Sequence, residues 1–131
     1  MGIFDFLKPK PKISARISLD WQDKEIVSKR WADVENLLEL GRPSNFQKAV
    51  LEADKIVDFA LKKMRVPGET MGDRIRSAQK KFKNYQTYQA LWDAHKIRNR
   101  IVHEMNSEVL NYEAKEAITK FKKVLSDLGA I

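Results

Sequence analysis

The chain has 131 residues, of which 43% are apolar and 33% charged, a balance that suits one globular domain and excludes both a disordered chain and a membrane-embedded one. It contains no cysteine, which excludes a disulfide framework and a thiolate metal site and fits a reducing, cytoplasmic address. Its 25 lysines and arginines against 18 aspartates and glutamates leave a charge of +7, so its field attracts polyanions such as RNA.

Residues 1–18 have no sustained helical period, and the Lys-Pro-Lys-Pro-Lys run at 8–12 favours extended backbone. They are read as a basic and apolar arm preceding a helical domain over 19–131. The apolar start Gly2-Ile3-Phe4-Asp5-Phe6-Leu7 followed by lysines has the composition of a weak surface-docking peptide. It is too short to span a bilayer, and Phe6 stands where a myristoylation signal needs Ser or Thr. Membrane association is therefore a minor alternative.

The first helix is predicted over about 20–40, with Val27, Trp31, Val34 and Leu38 as its buried stripe and Gly41 as its stop. A second opens at Pro43 and Ser44, where Ser44 and Gln47 fit a capping box. It buries Phe46, Val50, Ala53, Val57, Ala60 and Met64, and Pro67-Gly68 ends it. Thr70 caps a short third helix carrying Met71, Ile75, Ala78 and Phe82, and the polar stretch 83–86 breaks it. The fourth covers about 87–104 with Leu91, Ala94, Ile97, Ile101 and Met105. The fifth covers about 111–128 with Ala114, Ile118, Phe121, Leu125 and Leu128. No segment alternates as a strand would. The expected fold is all-α, an up-and-down bundle of four main helices plus one short helix, with Trp21, Trp31 and Trp92 as core or near-core anchors.

Both histidines of the chain fall in Ala94-His95-Lys96-Ile97-Arg98-Asn99-Arg100-Ile101-Val102-His103-Glu104, beside three cations and one amide. At about 100° per residue, His95, Asn99 and His103 form one i, i+4 stripe, and Arg98 lies three residues from His95. All four are thereby expected to face one groove, although Arg98 and His103 stand about 140° apart on an ideal helix and meet only through long side chains, bending or a partner surface. Glu52 and Asp54, acids near the buried face of the second helix, are the expected partners of Arg98 or Arg100. Two histidines without matched acids do not make a metal site, and no phosphate-cradling glycine loop is present.

The run Arg98-Asn99-x-x-x-His103, late in a small helical bundle, resembles the signature of HEPN domains: an Arg, a polar residue, and a His a few positions on. The resemblance implies a homodimer whose motif helices face each other across a two-fold axis, and metal-independent cleavage of RNA without a cofactor. Arg98 would hold the phosphate, and His103 would move a proton at the ribose 2′-hydroxyl or the leaving 5′-oxygen. Asn99 would orient the phosphate or the imidazole. His95, Lys96, Arg100, Lys80, Lys81 and Lys83 would bind RNA around them. The family also contains members that bind RNA, nucleotides or protein partners without cutting, and a protein partner such as an antitoxin fits either kind. Some members carry a tyrosine two residues past the histidine, where this chain has Met105. The plainer reading is a polar seam that locks the bundle or a dimer.

Overall fold

A computed structural model describes residues 19–103 and 109–131. Helix α1 spans Trp21–Leu40, α2 Pro43–Lys63, α3 Met71–Ser77, α4 Tyr85–His103 and α5 Asn111–Asp127, and a 3-10 turn, Gln79–Lys81, follows α3. The described residues form the all-α bundle of four long helices and one short helix expected from the sequence. None of the described residues is in a strand, and none of the described helices is long and apolar enough to cross a membrane. The expected arm over 1–18, Lys8, Lys10 and Lys12 included, lies outside the described residues, as do Glu104 and Met105.

The long helices assemble around α2, which packs against α1, α4 and α5, while α4 and α5 pack on each other. Its fully buried positions, Ala49, Val50, Ala53, Ile56, Val57, Ala60 and Leu61, span an arc of about 140° at about 100° per residue, a broad face that serves three neighbours. Val27 and Val34 of α1, Leu91 of α4, and Phe121, Val124 and Leu125 of α5 close the core around it.

Helix ends follow local chemistry. Asp20 accepts the Asp23 N–H at 2.8 Å to start α1, and Gly41, at φ 73°, ends it by donating to the Leu38 carbonyl. The expected Ser44 and Gln47 capping box does not form. Pro43 takes the first helical position and forces Arg42 into extended backbone as the cap, which moves Ser44 inside the helix. Thr70 caps α3 as expected, exchanging bonds with Asp73. Helix α4 begins two residues before the predicted start because the Asn84 side-chain oxygen accepts both the Thr87 N–H, at 2.8 Å, and the Thr87 hydroxyl, at 2.9 Å.

Trp31 is buried and Trp92 half-buried, but Trp21 is 71% exposed, which corrects the expectation that it anchors the core. It precedes Val27 by six residues, about 120° round the helix from the buried stripe.

Candidate functional site

Helix α3 is too short to stand by itself, and a buried arginine fixes it to α2. Arg74 donates from Nε and Nη2 to the two carboxylate oxygens of Asp58, at 2.6 and 3.0 Å, and from Nη1 to the Gly68 carbonyl at 2.7 Å. The Asp58 hydrogen bonds raise the Arg74 pKa above its already high ordinary value. The start of α3 is thus held beside the outer edge of α2 and the face of α4 that carries the histidine stripe, and an open cleft of about 470 Å³ lies where the three meet.

Its walls are Asp54, Lys55 and Asp58 of α2, Thr70, Met71 and Gly72 at the start of α3, and His95, Arg98 and Asn99 of α4. Asp54 is the hub. Its Oδ1 lies 2.9 Å from His95 Nδ1 and its Oδ2 3.5 Å from Arg98 Nε, so one carboxylate holds two side chains of the motif helix. Asp54 and His95 are both buried, whereas the Arg98 side chain keeps 31% of its surface open. A carboxylate only accepts, so the proton of the His95–Asp54 bond belongs to Nδ1, and Nε2 is the remaining polar atom of the ring.

Arg98 also donates from Nη1 to Asn99 Oδ1 at 2.9 Å. Its Nη2 has no hydrogen-bond partner among the described residues, which leaves donors for an incoming anion. A guanidinium gripped on one side by a carboxylate and an amide, and open on the other, suits a phosphate or carboxylate ligand. The ring of Trp92 stands edge-on to His95, with centroids 6.2 Å apart, and Arg76 covers that ring at 5.9 Å.

Three of the four residues expected in one groove are therefore in it. His103 is not: it ends α4 exposed, about two turns beyond His95, and does not line the cleft. The other residues expected around the site divide further. Lys96 is exposed on α4. Arg100 donates to Glu113 of α5 at 2.9 Å, so it joins two helices rather than lining the cleft. Lys80 lines a separate hollow with Arg76, Ser77 and Gln79, while Lys81 is half-buried and Lys83 exposed.

Of the two acids expected near Arg98 or Arg100, Asp54 does pair with Arg98, but Glu52 points to Lys55 at 3.6 Å. The His95–Asp54 bond and the contribution of Thr70, Met71 and Gly72 to the cleft were not legible. The signal for the first was an acid on the buried stripe of α2, where charge needs a partner; nothing in the sequence pointed to the second. No group of three or more His, Asp or Glu side chains converges as a metal site among the described residues.

Compared with models of known protein families, with curated proteins and with solved structures, the chain has no significant match to any.

Proposed function

We propose that this chain is a HEPN-like endoribonuclease of the cytoplasm, cleaving RNA without a metal by attack of the ribose 2′-hydroxyl on the adjacent phosphorus. The observation that carries the reading is the Arg98 guanidinium, fixed by Asp54 and Asn99 on one edge and open to the cleft on the other. Such a preorganised cation binds the phosphate and stabilises the charge that builds on its oxygens in the transition state. The surplus of positive charge on the chain as a whole draws the polyanion to the protein.

His103 enters through a homodimer. Within one protomer it lies outside the cleft that holds Arg98. Two copies related by a two-fold axis along the C-terminal turns of α4 give each Arg98 a His103 from its partner. The exposed Val102, beside His103, supplies apolar contact at that axis. A protein partner that covers the same face would restrain the activity.

The test is cleavage of labelled RNA by purified protein in EDTA, comparing wild type with Arg98→Ala and His103→Ala. Loss of cleavage in both variants, with a 2′,3′-cyclic phosphate product from wild type, is expected. Equal cleavage by all three, or none by wild type, rejects the assignment. Retained RNA binding by an inactive wild type would instead identify a non-catalytic RNA-binding module.

A further inference from the structure

His95, held by Asp54, has no task in a reaction run by Arg98, Asn99 and His103 alone. Burying an imidazole against a carboxylate is a poor way to stabilise a core, since apolar residues of similar volume do as well or better. This pair is also at the wall of the Arg98 cleft, not in the middle of the bundle. We propose that His95 is the general base of that cleft and that Asp54 is its positioning residue, an inference that rests on the RNA-cleavage reading above.

The geometry supports the assignment atom by atom. Asp54 Oδ1 takes the Nδ1 proton at 2.9 Å, which leaves Nε2 of the neutral ring with a lone pair. Asp54 Oδ2 faces Arg98 Nε at 3.5 Å, so base and phosphate-binding cation are held by the two oxygens of one side chain. They also sit three residues apart on α4, on adjacent turns of one helix face. Trp92, edge-on at 6.2 Å, restricts the swing of the imidazole. The charged groups that line the cleft with His95 are Asp54, Lys55 and Asp58 from α2 and Arg98 from its own helix; from α3, Thr70, Met71 and Gly72 line it uncharged, while Arg74 is paired with Asp58 and Arg76 lies over the Trp92 ring.

With an RNA phosphate on Arg98, His95 Nε2 takes the proton of the neighbouring 2′-hydroxyl. O2′ attacks phosphorus, the O2′–P bond forms, and the P–O5′ bond breaks with its electron pair on O5′. That oxygen takes a proton from the His103 imidazolium of the second protomer. The products are a 2′,3′-cyclic phosphate and a 5′-hydroxyl, and the two histidines return to their starting states by exchanging protons with water. The chain's two histidines thus divide into one base and one acid.

His95→Asn tests this, because the asparagine amide N–H occupies the place of Nδ1 and keeps a donor for Asp54 while Nε2 is removed. Cleavage of a single-stranded oligoribonucleotide is expected to fall about 10²- to 10⁴-fold. The fall in rate on the acid side of the wild-type pH profile should disappear in the residual activity of His95→Asn. Wild-type rates in His95→Asn, with Arg98→Ala and His103→Ala inactive, overturn the role of His95 and leave the nuclease reading standing. An inactive wild type overturns both. Should His95→Asn not fold, long-range proton–nitrogen spectra of the wild-type chain decide: the neutral His95 ring is expected protonated on Nδ1, and the opposite tautomer defeats the proposal.

Discussion

Asp58 meets the Arg74 guanidinium with both carboxylate oxygens, and this one pair fixes a seven-residue helix to the bundle. The Arg74 side chain is 10% exposed and that of Asp58 18%, so water and salt screen the pair only weakly. Arg74→Ala would strand Asp58 with only Lys62, 3.6 Å away at the surface. Stability to urea should drop by about 2–4 kcal/mol, below the full cost of breaking a deeply buried pair because of that lysine. Arg74→Lys keeps the charge but not the two-pronged geometry, and should recover less than half of the loss. Equal stability of all three proteins would mean that α3 docks by its apolar contacts.

The same arginine dictates a glycine. Gly68 has φ 149°, and a Cβ there would lie 2.6 Å from the Arg74 amide nitrogen and 2.9 Å from Arg74 Cγ. Gly129, at φ 77°, has nothing within 4 Å of such an atom. Gly68→Ala must therefore overcome both backbone strain and a collision with main chain, and should cost upwards of about 2 kcal/mol. Gly129→Ala carries the strain alone, about 1 kcal/mol. Thermal melts of the two variants should separate in that order.

Arg65 presents the reverse case. It ends α2 at φ 63°, a left-handed conformation, while its neighbours close the turn through Val66 N–H to the Leu61 carbonyl at 3.0 Å. The side chain is exposed. Arg65→Gly should raise stability by a few tenths to about 1 kcal/mol, the strain relieved exceeding the added freedom of the unfolded chain. A lower melting temperature for Arg65→Gly would show that the side chain contributes more than its exposure suggests.

Periodicity made the bundle legible because α2 and α5 bury regular stripes: all six positions expected to face inward on α2, from Phe46 to Met64, do so. It failed at Trp21, where residue type outweighed position, and at Ser44, where Pro43 set the start of the helix. The site was half legible. Helical spacing brings His95, Arg98 and Asn99 together on α4 without any knowledge of tertiary structure. Which acid they meet depends on the rotation of α2 against α4, and where the cleft ends depends on Arg74 and Gly68 docking α3. Both are contacts between segments far apart in sequence, and they decided that His95 is inside and His103 outside.

Glu113 links acid stability to the join of α4 and α5. The Arg100 hydrogen bond, then the Leu110 N–H, hold its carboxyl below its ordinary value of 4.5. A carboxyl whose pKa is lower folded than unfolded stabilises the fold while ionised in both states. That contribution is present above the unfolded value and is lost as pH falls through the folded one. Stability should therefore decline from about pH 5 downward, and Glu113→Gln should flatten part of that decline while costing little below it. Urea titrations of both proteins at several acid pH values check the sign; a steeper decline in the variant would contradict it.

Arg98 and Arg100 are two residues apart on one basic helix, yet they should behave differently toward RNA. Arg98 offers an edge to the cleft with donors unused among the described residues; Arg100 is directed at Glu113 on α5. A cation that neutralises one phosphate of a single strand releases about 0.7 counterion, so its removal lowers the slope of log affinity against log salt by that amount. Arg98→Ala should show this reduced slope, with single-stranded RNA binding about tenfold or more weaker at low salt. Arg98→Lys should restore the slope but not the whole affinity, because a point charge replaces a planar fork that Asp54 and Asn99 already orient. Arg100→Ala should leave the slope near that of wild type and lower stability instead, by loosening α4 from α5. Fluorescence anisotropy across a salt series reads both quantities, and identical slopes for Arg98→Ala and wild type would remove Arg98 from phosphate binding.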